Sequence, residues 1–212
     1  MATTRGGTGR AGSRIRSATK ASATQRTIYQ LKVVLRDVRP LIWRRLLVPT
    51  DMTLAQLHHV LQVAMGWSNC HLHQYTIGGE IYGQPSPEAE YIDHDERKYR
   101  LADVVGDGGR LRYEYDFGDS WEHDVIVEKM VAADHGVKYP VCLDGARACP
   151  PEDCGGVSGY EHLLGVLVDP QHEEHEELTE WVGGEFDPQV FEVATVNSVL
   201  GRIAGRRTSR PR

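Results

Sequence analysis

Acid is missing from both ends of this chain. Residues 1–26 carry Arg5, Arg10, Arg14, Arg16, Lys20 and Arg26 without one Asp or Glu, and residues 202–212 carry five arginines and no acid. Eleven of the 24 bases sit in these tails, so residues 27–201 hold 13 bases against all 30 acids, a body of −17. Affinity for nucleic acid rests mainly on neutralising phosphates, so such a body argues against a DNA-binding core. The tails could contact nucleic acid weakly and without sequence preference. Their Gly, Ser, Thr and Ala content reads as solubilising disorder. Long apolar runs are also missing, and none approaches the ~18 residues that a membrane helix needs. The basic start lacks an apolar core, so no secretory signal is expected. Cysteine is scarce, four in 212 residues, which excludes a disulfide scaffold. The expectation is a cytoplasmic protein with reduced thiols, no membrane segment and no internal repeat.

What cysteine there is lies close together. Cys142, Cys149 and Cys154 fall within thirteen residues, among Pro150-Pro151, Glu152-Asp153 and Gly155-Gly156. Prolines fix φ and remove donors, and the glycines permit sharp turns. This predicts a stiff loop, neither helix nor strand, that presents thiols and carboxylates at set positions.

Elsewhere, periodicity predicts elements. Tyr29, Leu31, Val33 and Leu35 alternate onto one face of a strand, and Leu41 to Val48 is a second extended piece. Thr53-Leu54-Ala55-Gln56 is a capping box, followed by Leu54, Leu57, Leu61, Ala64 and Met65 at helical spacing and by Gly66 as the stop. His71 to Ile77 reads as a strand that turns at Gly78-Gly79 into Glu80-Ile81-Tyr82. A loop at 83–99 and a short turn at Leu101–Val105 follow. Arg110–Phe117 and Trp121–Met130 form a hairpin across Gly118-Asp119-Ser120. Three helical segments are expected after the cysteines. Their starts are a capping box at Ser158–Glu161 and N-caps at Asp169-Pro170 and Asp187-Pro188. The second segment should bury Leu178, Trp181 and Val182. Strands first and helices last predict an α+β fold. It would be a single domain over residues 28–203, a mainly antiparallel sheet with one early helix and a C-terminal helical cluster. Disordered basic tails at 1–27 and 204–212 flank it.

Three groups of residues could carry chemistry. Cys142, Cys149 and Cys154, joined by His71 and His73, are candidate ligands for zinc. Their shortest gap sits at the edge of the usual zinc-knuckle spacing, and the alternative is small buried thiols bracing a loop. His71 and His73 share one face of a strand, which suits a divalent metal or a half-exposed hydrogen-bonded face. Asp116, Asp119 and His123 on the hairpin, with Glu152 and Asp153 on the cysteine loop, are candidates for an acid/base or metal centre. Turn bracing by the two hairpin acids is the alternative. Asp116-Phe117-Gly118 is not a kinase signature here, because no Gly-rich strand-turn and no His-Arg-Asp loop accompany it. The acidic stretch from His172 to Glu177, and His94, read as solvated surface.

Taken in order, a set of motifs resembles the plasmid pRiA4b ORF-three-like family over about residues 28–203. They are Pro40-x-Ile42-Trp43-Arg44-Arg45, Leu57-His58, Met65-Gly66-Trp67, His71-Leu72-His73, Tyr115 to His123, Cys149 to Gly156, Gly159-Tyr160, and Phe186-Asp187-Pro188 with Val196-Asn197. The resemblance implies an α+β fold and an occurrence on plasmids and mobile elements, where some members carry a resolvase-like label. It transfers no catalytic role. A serine recombinase needs a nucleophilic Ser among arginines, whereas Ser120 lies between Asp119 and Glu122, where like charge repels phosphate. The leading reading is therefore a non-enzymatic binding or accessory module, stabilised by metal if any is bound. The alternatives are a metal-dependent hydrolase or nuclease-like enzyme using His71, His73, Asp116, Asp119 and His123, and a recombination accessory that touches DNA through its tails.

The tails have almost no large apolar residue to bury. Deleting residues 1–26 should leave Tm within about 2 °C, read by differential scanning calorimetry. A drop several times larger would mean that the segment docks.

Overall fold

The computed structural model describes residues 1–2, 26–86 and 91–208, with side chains through residue 204. Among them, one eight-stranded sheet and five helices make an α+β fold. The strands are β1 (Thr27–Leu35), β2 (Trp43–Pro49), β3 (His73–Ile77), β4 (Glu80–Gly83), β5 (His94–Asp95), β6 (Arg110–Tyr115), β7 (Trp121–Ala132) and β8 (Val141–Ala146). The helices are α1 (Leu54–Met65), α2 (Leu101–Val104), α3 (Gly156–Leu167), α4 (His175–Trp181) and α5 (Val193–Thr208). The order across the sheet is β5-β4-β3-β6-β7-β1-β2-β8. Every pairing is antiparallel except β4 with β5.

Alternation along the strands decides which face is buried. Tyr29, Leu31, Val33 and Leu35 on β1, with Tyr113 and Tyr115 on β6 and Val125 and Val127 on β7, are all nearly inaccessible. Leu54, Leu57, Val60, Leu61 and Ala64 of α1 join the same core. Each such side chain contributes roughly 1.5–3 kcal/mol when fully buried, so this layer carries most of the stability. The opposite face is polar. There Arg45 grips Glu128 at 2.8 and 2.9 Å, Gln30 donates to the same carboxylate, and Ser120 Oγ donates to Glu114 at 3.0 Å. Ser120, in the turn between β6 and β7, is thus a hydroxyl held by an acid.

Helix α1 begins and ends as the sequence requires. Thr53 and Gln56 cap reciprocally, and Gly66 takes the left-handed conformation at φ 98°. Other expectations are corrected. The cysteine segment is not all loop, since Val141–Ala146 pairs with β2 and completes the sheet edge. A short β5 lies within the expected 83–99 loop. Ser158 lies inside α3 rather than capping it, because Gly155 at φ 87° makes the entry turn. Asp169 and Asp187 accept from Gln171 and Gln189 two residues on, so each closes a tight turn instead of starting a helix, and α4 and α5 begin later. Trp181 is 47% exposed, not buried. The expected N-terminal tail falls almost wholly outside the described residues. Helix α5 runs on to Thr208.

The glycines after Cys154 set how close α3 sits to the hairpin. A Cβ on Gly156 would stand 2.6 Å from the Asp119 carbonyl oxygen, and one on Gly159 would stand 1.8 Å from the Cys154 carbonyl oxygen. Both obstacles are backbone and cannot swing aside. Gly159→Ala should therefore cost about 3 kcal/mol, measured by urea unfolding, whereas Gly165→Ala, in open space on the same helix, should stabilise by about 0.5–1 kcal/mol.

Candidate functional site

Three loops that are distant in sequence meet at one end of the sheet: residues 67–73 after α1, the β6–β7 turn at 116–120, and residues 149–156 before α3. Aromatic rings form the floor. Trp67 packs on Tyr115 at 4.9 Å and on Trp121 at 6.2 Å, and its Nε1 donates to the Pro150 carbonyl at 3.0 Å. The Tyr115 hydroxyl is the hub above them. It accepts from the backbone N–H groups of Cys70 at 3.1 Å and His71 at 3.3 Å, and donates to Glu152 Oε1 at 3.1 Å. Ser68 N–H adds a 2.7 Å bond to the same oxygen, and the Cys70 thiol closes on Glu152 Oε2.

His71 stands at the centre. Its Nε2 lies 3.1 Å from Asp153 Oδ1, 3.5 Å from Asp116 Oδ2 and 3.6 Å from Glu152 Oε2. The atom is buried, yet it makes no hydrogen bond within the described residues, so none of these oxygens lies along a proper donor direction. Two overlapping donor sets result, Cys70/His71/Glu152 and His71/Asp116/Asp153, each with its atoms within 4.8 Å of one another. Donors bonded tetrahedrally at about 2.0–2.3 Å sit roughly 3.3–3.8 Å apart, which matches the His71 spacings to Asp116 and Glu152, the one to Asp153 being shorter. Among the described residues, no Lys or Arg pairs with any of the three carboxylates. Burial alone would raise the Glu152 pKa, but donation from the Cys70 thiol, Ser68 N–H and Tyr115 hydroxyl outweighs it and holds the group below the usual range.

Backbone conformation presents these donors. Asn69, Asp116 and Asp153 sit at φ 60°, 59° and 59°, and Ser120 at 53°. Asn and Asp are the non-glycine residues that best tolerate this region, which explains their types here. Asp116 Oδ1 also accepts from Gly118 N–H at 3.0 Å and Asp119 N–H at 3.4 Å, leaving Oδ2 toward His71. A closed ring of bonds fixes Asn69. Gln62 Nε2 donates to the Tyr113 hydroxyl at 3.0 Å, which meets His58 Nδ1 at 2.8 Å. His58 Nε2 meets Asn69 Oδ1, and Asn69 N–H returns to Gln62 Oε1 at 3.0 Å.

The other candidate residues divide. Asp119 Oδ2 accepts from Gly155 N–H at 3.2 Å and so ties the hairpin to the cysteine loop. His73 is not at the donor cluster. It pairs with buried Glu96 at 2.8 Å and stacks on His58 with centroids 3.4 Å apart. His123 is fully buried in the core, edge-on to Trp67, with Nδ1 at 3.3 Å from the Tyr113 carbonyl. Cys142, Cys149 and Cys154 form no common donor group. Cys142 lies on β8, where its N–H donates to Asn197. Burial raises all three thiols, Cys154 to about 12 with help from Asp119. Sequence reasoning passed over Cys70, Tyr115, Asn69, His58 and Glu96. Cys70 was visible as the direct neighbour of His71, but the denser cysteine cluster downstream drew attention away from it.

A cleft of about 400 Å³ opens beside the donors, and Cys70, His71 and Phe117 are among the residues that line it. The fold and site define an α+β protein with a mixed thiol, imidazole and carboxylate cluster where three loops converge. The model of the plasmid pRiA4b ORF-3-like protein family matches residues 27–195, and the chain belongs to that family. It is 37% identical over 183 residues to uncharacterized protein y4hQ of Sinorhizobium fredii, covering 85% of this chain and 94% of the relative. It is similar also to the crystal structure of MM3350 from Methanosarcina mazei Go1, a protein of unknown function. There the TM-score is 0.75 and the identity 38%, over 81% of this chain and 98% of the other.

Two buried histidines generate a pH dependence. Burial depresses His58 to about 3, with the nearby His73 adding to the effect, and burial depresses His123 to about 4. Both sit below the unfolded value of about 6.5, so their stability is present above pH 6.5 and is lost as pH falls toward 4. Each histidine should remove on the order of 2 kcal/mol between pH 7 and pH 5. Urea midpoints across that range should fall steeply in the wild type and less steeply in His123→Phe.

Proposed function

We propose that this protein is a metal-centred binding module that holds one divalent ion through His71 with Asp116, Glu152, Asp153 and Cys70. The observation that carries this reading is the single buried imidazole nitrogen with three carboxylate oxygens 3.1–3.6 Å away and, among the described residues, no Lys or Arg paired with them. Like charges gathered this closely repel unless a cation stands among them. Thiol, imidazole and carboxylate together suit zinc, because softer and harder donors are mixed in one small cluster. Cys142, Cys149 and Cys154 are read as packing residues, since they gather into no common donor group.

An ion there would join the loop after α1, the hairpin tip and the cysteine loop. Its binding free energy would be folding free energy for that end of the sheet. A metal-dependent hydrolase is the second reading, favoured by the cleft that opens beside the donors and by the 69% exposure of the Asp153 side chain, which leaves one side of the cluster approachable. The −17 body works against a polynucleotide as the substrate of such an enzyme.

Protein purified under reducing conditions and dialysed against zinc should retain about one equivalent by elemental analysis, and a chelator should lower its Tm by several degrees. His71→Ala should abolish retention, while Cys154→Ser should keep it. Wild-type protein that retains no metal would sink the reading. Retention lost in Cys154→Ser but kept in Cys70→Ser would move the site to the downstream cysteines.

A further inference from the structure

Each of two proposed metal donors is followed directly by an exposed apolar residue. Leu72 follows His71 and is 65% exposed, and Phe117 follows Asp116 and is 37% exposed. Both line the cleft, and Tyr91, 46% exposed, meets Phe117 edge to face at 6.5 Å on the same wall. Large apolar side chains left in water beside a concave polar site mark a place that something covers. The floor differs in character. Glu96, the buried acid there, is occupied by His73, so no free carboxylate faces the interior from that side. His58 is held neutral within its ring of bonds, and exposed His59 adds a further imidazole at the rim.

We infer that this cleft binds a small organic oxyanion, a carboxylate or phosphoryl group carrying a planar ring, with the ring against Phe117 and Tyr91. This rests on the metal reading above, because the oxyanion would reach the ion from the cleft side, where the proposed donors Cys70 and His71 line the wall. The geometry favours this class over a simple inorganic anion. Cys70 and His71 line the cleft together with Leu72 and Phe117, so a group bound to the ion from that side has this wall beside its substituent. A ring lying on the wall removes apolar area of both partners from water, and aromatic contacts add to that gain. A ring-free acid obtains only the coordination. The cleft volume of about 400 Å³ accommodates a single ring with its acid.

The test uses the full chain, with zinc content measured first by elemental analysis. Phenylphosphonate and benzoate, against methylphosphonate and acetate, are titrated by calorimetry into zinc-loaded and chelator-treated protein. At least one ring-bearing acid should bind about tenfold more tightly than its ring-free counterpart, and only to the loaded form. Which of the two acids gains more tells phosphoryl from carboxylate chemistry, and either result upholds the inference. Phe117→Ser should erase the ring preference while leaving the zinc content and the ring-free affinity unchanged. Phe117 is exposed, so this variant keeps the core, and Tyr91→Ser gives an independent second reading of the same wall. Equal affinities for ring-bearing and ring-free acids in zinc-loaded protein would overturn the cleft inference alone. Protein that takes up no zinc would overturn the metal reading and, with it, this one.

Discussion

Three carboxylates, from Asp116, Glu152 and Asp153, stand around one imidazole nitrogen, and two unit charges about 4 Å apart interact by about 4 kcal/mol near a protein surface. Everything at this end of the molecule is arranged to hold them there. Tyr115 and Ser68 fix Glu152, the Gly118 and Asp119 amides fix Asp116, and the Trp67 indole pins the cysteine loop through Pro150. Neutral donors of this kind stabilise each carboxylate singly and hold Glu152 below the usual range, yet none of them carries the positive charge that gathered carboxylates attract. That is why the proposed ion is the natural partner of the arrangement, and why its loss should loosen three loops together.

The sheet supplies the rigidity that such a site needs. Its buried face, closed by α1, carries aromatic side chains from β6 and β7 to within reach of the loops, so the donors rest on packed rings rather than on other loops. Left-handed backbone at Asn69, Asp116 and Asp153 costs on the order of 1 kcal/mol at each position and persists because this packing over-determines it. The hydrogen-bonded ring through Gln62, Tyr113, His58 and Asn69 extends the same logic one layer deeper, linking the helix core to the turn that presents Cys70 and His71.

Polar groups with similar sequence credentials therefore meet different fates. Spacing predicts His71 and His73 on one strand face, but β3 begins only at His73, so His71 stays in the loop and faces the carboxylates while His73 is taken up by Glu96 and the stack on His58. Asp119 and Asp116 flank one turn, yet Asp119 ties loops together while Asp116 turns an oxygen toward His71. His123, grouped with them by position, alternates inward on β7 and becomes core.

By itself the sequence determined the α+β class, the strand alternation from Tyr29 to Leu35, the capped helix from Thr53 to Gly66 and the hairpin across Gly118, because these depend on local periodicity and on backbone limits of single residues. It marked the three polar loops as well, since rigid backbone and titratable side chains coincide there. Tertiary structure alone decided that Val141–Ala146 pairs with β2, because an edge strand is specified by the neighbour it completes. It alone brought Cys70 to Glu152 across 82 residues and gave Cys142, Cys149 and Cys154 no common donor group, because a donor set is defined by distances between side chains and those are set by packing.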